Sequence, residues 1–285
     1  MMVDIKYTQN FYTNQSKISK IIASIGISEN DIVLDIGAGK GEITNELAKY
    51  SNNVIAYELD PTYYEILKHT FHDKKNVLLV NEDFILAPLP KKPFKVFSNI
   101  PFSLTADIVN KITSDESQLS EGYLFIQKES GNRFVGQPKN TQIATILSYR
   151  FDIEIVDTFK REDFKPIPNV DVVLLKIIKR RDVGSDYLLF KDFVTYIFNQ
   201  MEKNVYGTLK KLFTFNQLKY IKEELKKKNY NIPSDIPKEY YLKIFEHFKT
   251  NGLDYRNRVN GYYKMHVFQH AKREKINRTN VKNVL

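Results

Sequence analysis

The chain of 285 residues contains no cysteine and no tryptophan, and it has no long hydrophobic run. Without cysteine there is no disulfide framework, no thiolate zinc site and no iron–sulfur cluster. The longest apolar stretch, around Val172–Ile178, is interrupted by Lys176 and falls far short of the roughly 20 residues that cross a bilayer as a helix. From Asp4 onward the opening MMVDIKYTQNFYTNQSK is polar and lacks the apolar segment of a signal peptide, so a cytoplasmic protein without membrane association is expected. The five histidines, at 69, 72, 247, 266 and 270, make no convincing ligand set, and no metal is expected. What is present, 42% apolar and 27% charged residues, is the composition of an ordinary globular protein. At roughly 100–200 residues per domain the length predicts two domains.

The charge is unevenly spread. Residues 1–180 carry 22 Lys and Arg against 23 Asp and Glu, whereas residues 181–285 carry 21 against 11, so the whole excess behind the net charge of +9 lies in the last third. Within it, residues 255–285 hold eight basic side chains against the single acid Glu274. A polyanion is the natural partner of such a surface, because neutralising phosphates releases counterions.

From residue 16 to about 180, short apolar runs alternate with helical patterns, which predicts β-α units on a mostly parallel sheet. The expected strands are Asp31–Ile36, Asn53–Glu58, Val77–Val80, Phe94–Ser98, Gly122–Gln127, Phe151–Phe159 and Val172–Ile178. Helical spacing occurs in Glu42–Lys49, Thr62–Phe71, Ala106–Ile112 and Gln142–Tyr149. The last two strands follow each other across a loop with Pro166 and Pro168, so the sheet is expected to end in an antiparallel strand, the topology of class I methyltransferases. After RRDVGSD (180–186) the pattern changes to three amphipathic helices, Tyr187–Leu212, Asn216–Lys228 and Pro237–Lys249. The expectation is an α/β domain over 1–180 and a small basic helical domain over 181–285.

The segment DIVLDIGAGKGEIT places Asp35, Gly37, Gly39 and Gly41 where a strand turns into a helix. Glycines there let the backbone turn sharply and approach a ligand closely. The spacing is G-x-G-x-G with Glu42 following, so the dinucleotide fingerprint is not met. Glu58 closes the second strand, where a carboxylate can accept both hydroxyls of a ribose, and Asp83 follows the third, placed to accept from the exocyclic amine of an adenine with Phe84 beside it. A purine nucleoside fits these strand ends, and a sulfonium cation suits Asp35 and Glu58 better than a pyrophosphate.

After the fourth strand comes Asn99-Ile100-Pro101-Phe102. The chemistry it suits is alkylation of a planar exocyclic amine, whose delocalised lone pair is a poor nucleophile. The Asn99 side-chain oxygen and the Ile100 carbonyl can accept the two amine protons, Pro101 stiffens the turn and Phe102 can stack on the base. Alignment carries most of such a reaction. Phe164, in the stiff segment DFKPIPNV, is expected to wall a flipped base on the side opposite Phe102.

Together these stretches resemble the erythromycin-resistance rRNA adenine-N6 methyltransferases, close relatives of the small-subunit rRNA adenine dimethylases. The resemblance runs from TQNFYTN (8–14) through DIGAGKG, YELD, NEDF, SNIPFSLTADIV and FKPIPNV to LFTFNQLKYIKEEL (212–225) and IFEHFKTNG (244–252). It implies transfer of methyl from S-adenosylmethionine to one unpaired adenine of 23S rRNA, with resistance to macrolides, lincosamides and streptogramin B as the consequence, by an enzyme expected to act as a monomer. It further implies that Gln9, Asn10 and Phe11 sit over the cofactor. Gly37, Gly39 and Gly41 would line its amino-acid end, Glu58 with Leu59 its ribose, and Asp83 with Phe84 its adenine. Asn99 and Phe102 would hold the target base. Ile100, rather than Leu, favours the large-subunit branch; Phe102 stands where Tyr is frequent, and Val172 where Ser is common. Two readings compete: a small-subunit 16S rRNA dimethylase, and a nucleic-acid-binding relative without catalysis, against which intact Glu58, Asp83, Asn99 and Phe102 argue.

Overall fold

In a computed structural model, which describes residues 11–182 and 184–269, the chain divides into two compact units. One holds the described residues up to Val135 together with Phe151–Arg180; the other holds Gly136–Arg150 and the described residues from Arg181 onward.

The first unit begins with β1 (Phe11–Tyr12) and α1 (Gln15–Ser24), whose amino end is capped by Asn14 and which buries Ile18 and Ile22 one turn apart. Then come β2 (Ile32–Ile36), α2 (Glu42–Leu47), β3 (Asn53–Tyr57), α3 (Pro61–Thr70), β4 (Val77–Val80), β5 (Phe94–Asn99), α4 (Thr105–Ile112), β6 (Leu119–Gln127) and α5 (Lys128–Val135). Pro61 at the first turn of α3 and Asp60 as its cap start that helix at a defined residue. After α6 (Gln142–Leu147), which belongs to the second unit, β7 (Phe151–Phe159), β8 (Phe164–Lys165) and β9 (Val172–Lys179) complete the first.

Seven strands form one sheet in the order β4-β3-β2-β5-β6-β9-β7. The pairs among β4, β3, β2, β5 and β6 are parallel, and β9 runs antiparallel to both β6 and β7. The expected mostly parallel sheet with an antiparallel last strand is thus the observed one. Position in the sheet explains the patterns: β9, flanked on both sides, buries Val172–Leu175 without a break, whereas β7 at the edge alternates buried Phe151 and Ile153 with exposed Asp152 and Glu154. A separate two-stranded ladder joins β1 to β8, with Tyr12 opposite Phe164.

The second unit continues with α7 (Tyr187–Phe198), α8 (Val205–Leu209), α9 (Phe215–Lys227), α10 (Lys238–Asn251) and α11 (Arg256–Val259). Phe190, Phe193 and Ile197 of α7 pack with Tyr241, Phe245 and Phe248 of α10 in one aromatic-rich core. Two expectations are corrected here. The helix expected over Tyr187–Leu212 is two, because Asn199 turns its amide back to the Thr195 carbonyl at 2.8 Å and Asn204 caps a new start at the Gly207 N–H, 2.9 Å away. The boundary expected at residue 180 is discontinuous, because Ile146 and Tyr149, at and just beyond the end of α6, are buried in the helical unit's core.

Candidate active site

The ladder between β2 and β5 runs from Ile32 opposite Phe94 to Leu34 opposite Val96 and then stops, although β2 continues to Ile36 and β5 to Asn99. On one side of β2 lie β3 and β4, on the other β5 and β6, so the order reverses here and a crevice opens beyond the carboxyl ends of the strands. Phe11, Asp35, Gly37, Lys40, Asn99 and Pro101 line it. At its floor the Ser98 hydroxyl accepts the Ile36 N–H at 2.7 Å, replacing the lost ladder bond. Sequence reading passed over Ser98, whose one sign is a hydroxyl inside an otherwise apolar stretch.

The three glycines all have left-handed backbones, with φ of 75°, 56° and 84° at Gly37, Gly39 and Gly41, yet they face different neighbours. At Gly37 a β-carbon would lie 3.5 Å from Cδ of Pro101, which brings the glycine loop against the Asn-Ile-Pro-Phe turn. At Gly39 it would lie 2.5 Å from Cε1 of Phe11, so the Phe11 ring covers that residue. Lys40 places its Nζ 5.4 Å from the centroid of the same ring. Gly41 differs: its β-carbon would meet Phe71 at 2.6 Å and Leu67 at 2.8 Å. It therefore serves close packing of the loop against α3 and the start of α2, a correction to its expected place on a cofactor.

Glu58 is 2% exposed, its Oε2 accepting the Gly39 N–H at 2.7 Å and its Oε1 the Asp60 N–H at 2.8 Å. Burial pushes its carboxyl above the usual range, Asp60 adds to this, and the backbone N–H groups oppose it. Asp35, 1% exposed, accepts from Thr44 Oγ1 at 2.7 Å, which ties α2 to the end of β2. Its pKa is raised to about 7 by burial, with Glu58 adding and Thr44 and Ser98 opposing.

Asp83 is partly exposed and closes a tight turn, accepting the Ile85 N–H on Oδ1 at 2.8 Å and the Leu86 and Ala87 N–H groups on its carbonyl. Phe84 is buried edge-on to Tyr57, with centroids 5.1 Å apart, whereas Leu59 is 40% exposed at the rim. A residue that sequence reading missed holds this turn from α4: Lys111 donates to the carbonyls of Ile85 and Ala87 and sits 5.1 Å from the Phe84 centroid. Burial pulls its pKa down against the pull of Asp83.

Asn99 ends β5 on the crevice, Ile100 is buried, and Phe102 opens one 3-10 turn, half-buried against the core beneath. Phe164 does not join them. It is fully buried, its ring 5.0 Å from Tyr12 and within 6.4 Å of Phe125 and Phe159, so its expected place on a flipped base is corrected: pairing of β8 with β1 turns it into the core. Gln9 and Asn10 lie outside the described residues. Among the described residues, no group of three or more His, Asp or Glu could hold a metal.

A crevice at the switch point of such a sheet, floored by glycine backbone and buried carboxylates, defines a class I methyltransferase fold. The ribosomal RNA adenine dimethylase family matches residues 2–250, and the chain belongs to that family. It is an rRNA adenine N6-methyltransferase that uses S-adenosylmethionine. An "rRNA adenine N-6-methyltransferase" of Limosilactobacillus reuteri is 31% identical over 86% of this chain and 97% of that protein. A "Ribosomal RNA small subunit methyltransferase A" of Mycoplasmopsis pulmonis is 30% identical over 76% of this chain and 86% of that protein. Among solved structures, the 23S rRNA methyltransferase ErmE covers 84% of this chain and all of its own at a TM-score of 0.76 and 23% identity, a likeness of fold.

Proposed function

We propose that the enzyme methylates the N6 amine of a single adenine in 23S rRNA at the macrolide-binding site and so confers resistance to macrolides, lincosamides and streptogramin B. The observation that carries this reading is the Asn99–Phe102 turn, with Ile100 buried behind it and Pro101 seated on Gly37. The relatives called N-6-methyltransferase also align over more of this chain, 83–87%, than the small-subunit relatives, at 72–76%.

When bound, S-adenosylmethionine supplies a methyl group on a cationic sulfur. Gly37 and Gly39 give its amino-acid end room, the Glu58 carboxylate accepts from the ribose, and the Asp83–Phe84 turn takes the adenine. The buried acids at 35 and 58 favour the positive sulfonium. Asn99 and the Ile100 carbonyl accept the two hydrogens of the target amine and concentrate electron density on nitrogen, while Phe102 stacks on the base. No strong base is required, since the proton leaves after the nitrogen–carbon bond has formed; alignment supplies the rate. The enzyme acts in this reading as a cytoplasmic monomer, its basic helical unit gripping rRNA phosphates.

A second reading, a small-subunit dimethylase, is favoured by the relatives named small subunit methyltransferase at 30–34% identity. Labelled methyl transfer to naked 23S and 16S rRNA, with the modified base mapped by primer extension, separates the two. One stop in the 23S peptidyl-transferase loop supports the proposal; adjacent adenines near the 16S 3′ end overturn it in favour of the second reading.

A further inference from the structure

Within the helical unit, α8 and α9 enclose a cleft of about 290 Å³. Its wall is aromatic: Tyr206 on α8 and Tyr230 just beyond α9 both line it and are both only partly buried. Its rim is cationic. Lys222 and Lys226 line it, and Lys222 Nζ and Lys210 Nζ lie 5.6 and 5.0 Å from the centroid of the Tyr206 ring. Leu225 and the amide residues Asn204, Asn229 and Asn231 complete the lining.

Among the described residues no carboxylate lies within ion-pair distance of Lys210, Lys222 or Lys226, although the neighbouring Lys211 is paired with Glu202 at 2.6 Å. Lysines without a carboxylate partner among the described residues, two of them over the ring of a half-buried tyrosine, combine what an unstacked nucleotide needs, a π surface for the base and cations for the phosphate. The amides supply donors and acceptors for a base edge. The volume stands at the small end of ligand sites, roughly 300–1,000 Å³, which suits one nucleotide and not a duplex.

We propose that this cleft is an auxiliary subsite for a single unstacked nucleotide of the rRNA substrate, the base against Tyr206 and its phosphate among Lys210, Lys222 and Lys226. The ammonium groups that now rest over the Tyr206 ring move to the phosphate when the base takes their place; an exposed cation–π contact is worth only about 0.5–1 kcal/mol. The subsite deepens the rRNA-methyltransferase reading and rests on it.

The test uses the full chain and an rRNA transcript that the wild type methylates. Charge reversal at two exposed or half-exposed positions, Lys222→Glu with Lys226→Glu, is expected to raise the dissociation constant for the transcript at least tenfold. It should flatten the slope of log affinity against log salt by about one to two, at roughly 0.7–0.9 for each phosphate no longer neutralised. Turnover at saturating RNA and the affinity for S-adenosylmethionine should be unchanged. Tyr206→Leu is expected to weaken binding fivefold or more with the salt slope unaltered, and Tyr206→Phe to restore it, because the π face and not the hydroxyl is used. Unchanged RNA affinity in the lysine variant, or weakening by the lysine variant but not by Tyr206→Leu, would overturn the proposal. So would AMP bound by the cleft at an affinity that the rRNA does not compete. If the wild type transfers no methyl to any rRNA, it is the underlying functional reading that fails, and the two failures are distinguishable.

Discussion

The hydroxyl of Ser98 accepts the N–H of Ile36 at 2.7 Å, at the point where β2 and β5 stop pairing and the crevice opens. One side chain thereby satisfies a buried backbone donor that the parted strands leave behind. Ser98→Ala keeps the shape but orphans the donor, at a cost of about 1–3 kcal/mol. The urea midpoint of the variant should fall accordingly, with weaker binding of S-adenosylmethionine. An unchanged midpoint would contradict the role given to the hydroxyl.

Gly39 and Gly41 separate ligand approach from packing. Gly39→Ala places its β-carbon on a single movable ring, Phe11, above the crevice, whereas Gly41→Ala drives one into Leu67 and Phe71 of the core. Gly39→Ala is therefore expected to lose tenfold or more in cofactor affinity with a modest stability change of about 1–2 kcal/mol from the left-handed backbone. Gly41→Ala adds overpacking of about 1–3 kcal/mol to that strain. Calorimetric titration beside thermal unfolding checks both, and a reversed order of the two effects would refute the assignment.

Asp35 makes stability depend on pH in a definite direction. Burial raises its folded-state pKa from 3.8 to about 7. Below the unfolded value both states hold the proton. Between the two values only the folded chain does, so stability falls as pH rises, by at most about 1.4 kcal/mol per pH unit, and the loss is complete above the folded value. Asp35→Asn keeps an acceptor for Thr44 and has no proton to lose. Its stability relative to the parent should therefore increase from pH 5 to pH 8 in denaturant titrations; a difference that does not vary with pH would contradict this.

Phe164 belongs to the core and not to the base. Phe164→Ala should destabilise the fold by about 3–5 kcal/mol. Phe164→Leu, which keeps most of the volume, should retain methyl transfer with an unaltered KM for RNA. A raised KM in a fully folded Phe164→Leu variant would return this residue to the substrate.

The parts of the site legible in the sequence are those written in consecutive residues. The glycine loop, Glu58, Asp83 and Asn99-Ile100-Pro101-Phe102 are each a strand end plus a turn, and period-two and helical patterns locate strand ends well. What the sequence hid depends on residues distant in the chain. The burial of Phe164 follows from pairing with Tyr12, the packing role of Gly41 from α3, and the place of α6 from helices that begin forty residues later. Ser98, Thr44 and Lys111 carry little local signature, since a hydroxyl in a strand or on a helix, or a lysine on a helix, is ordinarily solvated. The reading of Tyr187–Leu212 as one helix failed for a local reason: the stretch Asn199–Asn204 offers a side-chain donor, Asn199, that ends one helix and a side-chain acceptor, Asn204, that starts another.

The central claim is that the crevice between β2 and β5 presents a donor methyl to an adenine amine held by Asn99. Its most direct measurement is nucleoside chromatography of rRNA after incubation with labelled S-adenosylmethionine, comparing the parent enzyme with Asn99→Ala, with cofactor affinity measured on both. The account predicts label in N6-methylated adenosine alone for the parent, and for Asn99→Ala a loss of at least a hundredfold in transfer with cofactor affinity retained. Label in another nucleoside, or transfer by Asn99→Ala within a few-fold of the parent, would contradict it.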